Sequence, residues 1–227
     1  MKLQPLAELV VDSLLRRIRV LAECQIKQLA VGVEPQGNVR NRLRALLRRG
    51  LIAEFQFETK ALHLSHPLVS WTPYQTPSPD FGKLAWIAKS RYQKAKTQCH
   101  QIFVASEMAE RMFGGIGGSL RQPNQLMHDL GTAAIFVAKH IEPSPELAAW
   151  ISEDMLRRRY RHLHIQKIPD AAIVADSGIT KAIEFAGRDY SRKYLLKFHC
   201  YWQSRNCLLY TSPSPRDRTR SRMPSSA

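Results

Sequence analysis

The sequence lacks the features of several common protein classes. It has only four cysteines in 227 residues and no Cys-x-x-Cys pair, which argues against a disulfide framework or a thiolate zinc site and favours reduced thiols. No run approaches the roughly 18 apolar residues of a membrane span, and residues 1–9 do not resemble a signal peptide. The glycine-rich stretch 114–118 has no phosphate-loop spacing. We therefore expect a cytoplasmic protein with no membrane partner.

Acidic residues are also scarce, because 19 Asp and Glu stand against 34 Lys and Arg, and the net charge at pH 7 is +15. A strongly basic balance favours a polyanionic partner. Residues 207–217 resemble the translated read-through of a transposase sequencing adapter, and 218–227 continue with Arg, Ser and Pro. We expect 207–227 to be a disordered tail foreign to the protein, whose natural chain continues beyond Asn206. Without this segment's four Arg and one Asp the net charge is still +12.

The stretch 38–49, followed by Gly50, gives the strongest indication of function in the sequence. Wound as a helix, it places apolar residues on one stripe, namely Val39, Leu43, Leu46 and Leu47. The opposite face carries polar residues, namely Arg40, Asn41, Arg44 and Arg48. Guanidinium groups in such a row pair with phosphates or with the acceptor edge of guanine. We therefore predict contact with double-stranded DNA.

The neighbouring segments predict where this helix sits. Residues 10–20 and 26–30 read as helices, 32–37 as a turn, and 51–58 with 61–69 as a hairpin around Lys60. Three helices and a hairpin, in this order, are typical of a winged helix-turn-helix, whose third helix enters the major groove. The predicted DNA-binding residues are Asn38, Arg40, Asn41, Arg44, Arg48 and Lys60. The alternative is a small helical domain with a solvated arginine face.

A proline-rich linker at 72–79 ends this unit, and a basic helix at 83–97 follows it. Its interleaved lysines and aromatics could contact phosphate and stack on bases. We prefer an amphipathic connector whose aromatics pack inward. The predicted fold is α+β, in four parts: 1–71 winged helix-turn-helix, 72–124 linker and basic connector, 125–206 incomplete restriction-endonuclease-like α/β domain, and 207–227 tail.

The second domain is predicted as a helix over 127–137, a hairpin of strands 168–175 and 180–186, and a helix over 188–202. The hairpin carries Asp170 and Glu184. Two carboxylates on paired strands suit a hard divalent cation beside a phosphodiester. The alternative is structural, with Asp170 forming a turn and Glu184 pairing with a nearby Lys or Arg.

The spacing from Pro169-Asp170 to Glu184 resembles the PD-(D/E)XK nuclease pattern. That resemblance implies magnesium bound by Asp170 and Glu184, and a lysine two residues after the Glu that assists the attacking water. Position 186 is Ala in this chain. Arg188, Lys193 or Lys197 of the next helix is the alternative cation, and the candidate catalytic residues are Asp170, Glu184 and Lys193.

The whole chain resembles the replication-relaxation family of bacterial plasmid and mobile-element proteins. The residues that carry the resemblance follow the basic helix: 128–130 (His-Asp-Leu), 169–171 (Pro-Asp-Ala), 183–187 (Ile-Glu-Phe-Ala-Gly) and the helix 190–201. The resemblance covers 10–206. It implies a winged helix joined to a nuclease-like domain, DNA binding in plasmid replication or relaxation, and a further strand after Asn206.

Three functions remain open. The first, which we prefer, is a DNA-binding protein of a plasmid or mobile element, requiring no cofactor and working with other replication or mobilisation proteins. The second is a magnesium-dependent nickase using Asp170 and Glu184. The third is a transcriptional regulator. The absence of a lysine at 186 favours a non-catalytic protein, and the oligomeric state stays open.

Overall fold

The structure is a computed structural model that describes residues 3–60, 69–71, 78–94, 96–117, 120, 123–141, 145–161, 167–186, 190–205 and 208–212. Within these ranges the chain is a mixed α+β protein, as predicted. Its helices are α1 (Pro5–Asp12), α2 (Glu23–Leu29), α3 (Val39–Arg48), α4 (Phe81–Lys94), α5 (Glu107–Phe113), α6 (Pro123–Ile141), α7 (Glu153–Arg159) and α8 (Arg192–Gln203). Its strands are β1 (Val20–Ala22), β2 (Ile52–Lys60), β3 (Val69–Trp71), β4 (Thr97–Ala105), β5 (Trp150–Ser152), β6 (Ala171–Ala175), β7 (Gly178–Phe185) and β8 (Leu208–Ser212).

The first sheet has the order β1-β4-β2 and is antiparallel throughout. β2 pairs with β4 along its whole length, from Ile52↔Ala105 to Lys60↔Thr97. The turn predicted at Thr59-Lys60 is therefore wrong, because both residues belong to β2, and most of the predicted second strand, 61–68, lies outside the described residues. The apolar residues at 102–105 of β4 are buried where they pair with the first residues of β2. Burial of residues far along the chain therefore determines the pairing of β2 with β4.

The predicted helix over 10–20 is also only partly correct. α1 ends at Asp12, a wider helical turn runs over Ser13–Arg17, and Val20 already belongs to β1. Val20 lies opposite Val104 of β4, and both are buried. Sheet pairing of these β-branched residues overrides the helical periodicity of the preceding segment.

The second sheet has the order β3-β8-β7-β6-β5. β6 and β7 form the predicted antiparallel hairpin, with Ala171 opposite Ile183. β8 lies parallel to β7 and antiparallel to β3. The prediction of a tail disordered throughout 207–227 is therefore wrong at Leu208–Ser212. Its Leu, Tyr and Thr residues favour strands, and pairing on both sides satisfies their backbone groups.

The two sheets do not follow the predicted boundaries. β3, assigned to the first unit, lies in the second sheet, and β4, assigned to the connector, lies in the first. One buried cluster also contains side chains of both units, among them Leu14, Phe103, Trp150 and Phe185. The two units thus share a core. None of the helices in the described ranges is long and apolar enough to cross a membrane.

Candidate functional site

The first candidate site is the outer face of α3. The predicted polar residues Arg40, Asn41, Arg44 and Arg48 are exposed on it. The opposite stripe is buried at Val39, Leu43 and Leu46. Gly50 has a φ of 65°, the left-handed conformation expected at the helix stop. The predicted stripe is therefore confirmed at these three positions, whereas Leu47 is only partly buried. The arginines lie on the exposed face of a helix that is packed against the core.

The arginines on this face of α3 differ in whether an acidic residue pairs with them. Arg40 Nε lies 3.0 Å from Glu23 Oε1, to which Lys27 also binds. Burial disfavours the ionised form of Glu23, but the hydrogen bonds from Lys27 and Arg40 outweigh it, and the pKa of Glu23 is lowered. Arg44 and Arg48 are exposed and form no ion pair with any residue that the structure describes. Among the described residues of α3, these two guanidinium groups are therefore exposed cations whose charge is not already paired.

The other predicted DNA-binding residues lie at the two ends of this region. Asn38 is exposed in the turn that leads into α3. Lys60 ends β2 at the far end of the β2–β4 ladder, and its side chain lies outside the described part of the chain. A groove of about 230 Å³ separates α3 from the two strands, and both Arg44 and Glu54 line it. The arginine face thus borders a two-stranded arm.

The second candidate site lies where α6 meets the β6–β7 hairpin. Asp170 Oδ2 accepts a hydrogen bond from the backbone N–H of Phe185 at 2.7 Å, and Asp170 Oδ1 lies 3.0 Å from His128 Nδ1. α6 approaches closely at Gly131, where a Cβ would stand 2.5 Å from the Phe185 ring. Glu184 is buried on β7, with 2% of its surface exposed. The structure thus brings the two predicted carboxylates together around a histidine.

Two tyrosines complete this cluster. Tyr190 Oη donates to Glu184 Oε1 at 2.5 Å and lies 2.8 Å from His128 Nε2. Tyr194 Oη donates to the same carboxylate oxygen at 3.1 Å. Asp170, His128, Tyr190, Glu184 and Tyr194 therefore form one hydrogen-bonded group, which we call the carboxylate network. The sequence analysis assigned no role to the two tyrosines. Their spacing of four residues, which places both on one face of a helix, could have indicated a shared contact.

Burial and charge shift the pKa values of the network. Burial disfavours the charged form of His128, but Asp170 outweighs it through its charge and hydrogen bond, with a further contribution from Glu184, and the pKa of His128 rises to about 9. Burial, followed by the charge of Asp170, raises the pKa of Glu184 to about 8. Burial likewise raises the pKa of Tyr190 and Tyr194 above the ordinary range of tyrosine. These shifts favour the charged form of His128 and disfavour the ionised form of Glu184.

The donor set of the network does not fit a magnesium ion in this arrangement. Both oxygens of Asp170 are engaged, by His128 and by the Phe185 N–H, and Glu184 Oε1 already accepts hydrogen bonds from the two tyrosine hydroxyls. Among the residues that the structure describes, the buried Glu184 Oε2 has no hydrogen-bond partner. Within the described ranges, no three His, Cys, Asp or Glu side chains group as a metal site. The His128 imidazole instead contacts Asp170 directly and is linked to Glu184 through the Tyr190 hydroxyl.

The predicted catalytic lysine is not part of the network. Lys193 is exposed on α8, one residue before Tyr194. Ala186 is 1% exposed and packs with Leu84 and Leu195, so a lysine at this position would displace its neighbours. Lys167, not predicted, has its Nζ 5.1 Å from the centre of the Tyr194 ring. Arg188 lies outside the described residues.

A buried arginine connects the segment before β1 to α6, the helix that carries His128. Arg19, immediately before β1, has 7% of its side chain exposed and binds Asp129 of α6 at 2.8 Å. Its Nε also donates to Asp154 of α7 at 2.8 Å. Burial disfavours the charge of Arg19, yet the hydrogen bond and charge of Asp154, with those of Asp129, raise its pKa above the ordinary value. Because Asp129 follows His128, one turn of α6 holds both the first unit and the carboxylate network.

The network predicts a pH-dependent stability. The folded-state pKa of His128 lies above its unfolded value of 6.5, so its stabilising contribution is complete below about pH 6.5 and is lost as the pH rises through about 9. We expect the titration of His128 to lower the free energy of unfolding by about 3 kcal/mol over this window. Urea denaturation at several pH values measures it.

The matched variants are His128→Gln and His140→Gln. The first should reduce the fall above pH 6.5, while Glu184, whose pKa is also raised, still contributes to it. The second should leave it unchanged, because burial lowers the pKa of His140 and any contribution from that residue lies at lower pH. An undiminished fall in His128→Gln would show that the network does not titrate as described.

Comparison with known proteins adds no assignment. No family model matches the chain, and neither a curated protein nor a solved structure is similar to it.

Proposed function

We propose that this chain is a DNA-binding protein of a plasmid or mobile element that acts in replication or relaxation by binding duplex DNA through α3. The observation that carries the proposal is the exposed row on α3, where Arg44 and Arg48 point to solvent from a helix whose other face is buried. Guanidinium groups displayed in this way suit phosphates and guanine edges. The net charge, which is still +12 without 207–227, supports the same partner.

The arrangement around α3 supports a winged helix. α2 precedes α3 across a turn, and the antiparallel pair β2–β4 follows it, with β1 on the outer side of β4. In such a domain α3 is the recognition helix and β2–β4 is the wing. This wing differs from the one predicted, because its second strand is β4 and the residues between the strands include α4. The charge of Arg40 is partly used by Glu23.

The second unit supports the resemblance to the replication-relaxation family. Its order is a helix, a hairpin bearing Asp170 and Glu184, and a second helix, here α6, β6–β7 and α8. This is the order that the resemblance implies for 125–206, whereas β8 belongs to the segment that resembles adapter sequence. We propose that the unit acts as a scaffold for the winged helix and as a surface for other replication or mobilisation proteins.

A gel shift with a short duplex tests the proposal. The wild-type chain should shift the duplex, and Arg44→Ala should do so more weakly. Arg111→Ala is the matched control, because Arg111 is an exposed arginine on α5. Equal shifts by all three proteins would contradict binding through α3.

A divalent-metal-dependent nickase is the second candidate, favoured by one observation: Asp170 and Glu184 meet at one cluster. The engaged oxygens of Asp170 and the apolar surroundings of Ala186 argue against it. We expect supercoiled plasmid to stay supercoiled when the wild-type chain is added with magnesium or manganese, as followed on an agarose gel. Conversion to open circle that Asp170→Ala abolishes would overturn this expectation and make the protein an enzyme.

A further inference from the structure

Trp86 stands apart from the other tryptophans of the chain. The side chains of Trp71, Trp150 and Trp202 are buried, with 3%, 1% and 1% of their surface exposed. Trp86, on α4, is 69% exposed. The sequence-based preference for inward-packing aromatics on this helix is therefore wrong for Trp86. An indole displayed to solvent costs free energy that a ligand can recover by covering it.

The packing of α4 does not need this side chain. Leu84 and Ala88 are buried in one cluster with Ala186 and Leu195, and Phe81 lies against His199 with ring centroids 4.8 Å apart. These contacts fix the inner face of α4 on the second unit. Trp86 lies two residues after Leu84, which is about 200° around the helix. The indole is therefore held on the outer face of a docked helix.

Two lysines flank the indole. Lys83 and Lys89 are both exposed, and they stand three residues before and three residues after Trp86. Residues three apart are neighbours on a helix surface, so the ammonium groups bracket the ring over about 9 Å of helix axis. A flat π-surface between cations is complementary to an unstacked base flanked by phosphates. Duplex DNA keeps its bases stacked and offers the indole no exposed base face.

The position of α4 fits a role beside bound DNA. α4 ends at Lys94, and β4 begins at Thr97, opposite Lys60 at the tip of the β2–β4 ladder. Three residues of extended chain span at most about 11 Å. The end of α4 is therefore within about one helix diameter of the arm that the proposed function uses on duplex DNA.

We propose that Trp86, bracketed by Lys83 and Lys89, is a stacking site for single-stranded DNA. The inference rests on the proposed function, and it adds a second DNA-binding surface that engages unpaired bases next to the duplex held by α3. The lysines bind the phosphates on either side of a base, and the indole face takes the base itself.

The experiment uses the intrinsic fluorescence of the full chain and an oligo(dT) of about ten nucleotides. Because Trp86 is the exposed tryptophan, stacking of a base should quench the solvent-exposed part of the emission. Trp86→Ala should lose this quenching and bind oligo(dT) roughly 5- to 150-fold more weakly by fluorescence anisotropy of a labelled oligonucleotide. Trp86→Phe should keep part of the affinity.

Two further variants test the role of the lysines and the specificity of the effect of Trp86. Lys83→Ala with Lys89→Ala should reduce the slope of log affinity against log salt by roughly 1.4, close to 0.7 for each single-strand phosphate contact. Met112→Ala is the matched control, because Met112 is an exposed apolar side chain on α5, with 49% of its surface exposed. It should leave oligo(dT) binding unchanged.

The outcomes separate this inference from the proposed function. Duplex binding in Trp86→Ala should equal that of the wild type. Unchanged oligo(dT) binding in Trp86→Ala, with normal duplex binding, would overturn the stacking site and leave the proposed function intact. Absence of duplex binding in the wild type would overturn the proposed function. A change in self-association of Trp86→Ala on sedimentation, without any quenching, would make the face a protein contact and overturn the inference.

Discussion

Changing Arg40, Arg44 and Arg48 together to Ala should weaken duplex binding at least about 100-fold near physiological salt. A phosphate or guanine contact by one arginine is worth about 1–3 kcal/mol, and 1.4 kcal/mol is a factor of ten. Arg40 should contribute least, because Glu23 already holds its guanidinium at 3.0 Å. Fluorescence anisotropy with a labelled duplex measures the change in affinity.

The fold should survive this triple change. The three side chains are exposed, whereas Val39, Leu43 and Leu46 hold α3 in place. The melting temperature should therefore move little, and exposed substitutions usually change stability by no more than about 0.5 kcal/mol. Arg111→Ala, on α5, should bind like the wild type. A triple variant that binds as tightly as Arg111→Ala would remove α3 from the interface.

Changing Arg19 to Met should destabilise the protein by about 3–5 kcal/mol. The substitution removes the cation that neutralises Asp129 and Asp154 while leaving both carboxylates at the junction of β1, α6 and α7. The destabilisation arises because the variant leaves buried carboxylate charges without a partner. The intact ion pairs themselves contribute little net stability. Chemical denaturation in urea measures the change.

Neutralising the carboxylates tests the cause of this destabilisation. Adding Asp129→Asn and Asp154→Asn to Arg19→Met should restore part of the stability, because amides carry no charge to be compensated. Arg157→Ala is the matched control, since Arg157 is an exposed arginine on α7 whose ion pair with Glu153 is solvated, and it should change stability by less than about 1 kcal/mol. If Arg19→Met were as stable as this control, Arg19 would not tie the two units together.

The elements that the sequence predicted well are those with local causes. The stripe of α3 follows from apolar spacing within ten residues, and its stop follows from Gly50, whose φ is positive. The β6–β7 hairpin follows from two apolar strands around the turn that ends at Gly178. In each case neighbouring residues carry the whole signal.

The elements that failed depend on distant residues. β2 pairs with β4, in which Thr97, the residue opposite Lys60, is 37 positions further along the chain. No pattern within 51–69 indicates this pairing. Val20 is in a strand and not in the predicted helix, because pairing with Val104 of β4 buries it. Leu208–Ser212 became a strand between β3 and β7, a place that only the assembled sheet provides.

The carboxylate network shows the same limit. Asp170 and Glu184 were predicted as partners because strand pairing brings them together. His128 was named only as part of a motif, since the contact between its ring and Asp170 requires α6 to approach β7 at Gly131. Tyr190 and Tyr194 reach Glu184 from the start of α8. Side chains from three separate elements cannot be assembled from spacing alone.

The salt dependence of duplex binding tests the central claim most directly. Log affinity is measured against log salt for the wild type and for the variant in which Arg40, Arg44 and Arg48 are Ala. If α3 holds the phosphates, the slope of the variant should be shallower by close to 0.9 for each phosphate that an arginine neutralises, and by about 2.7 if all three arginines bind phosphate. Identical slopes and affinities would contradict DNA binding through α3.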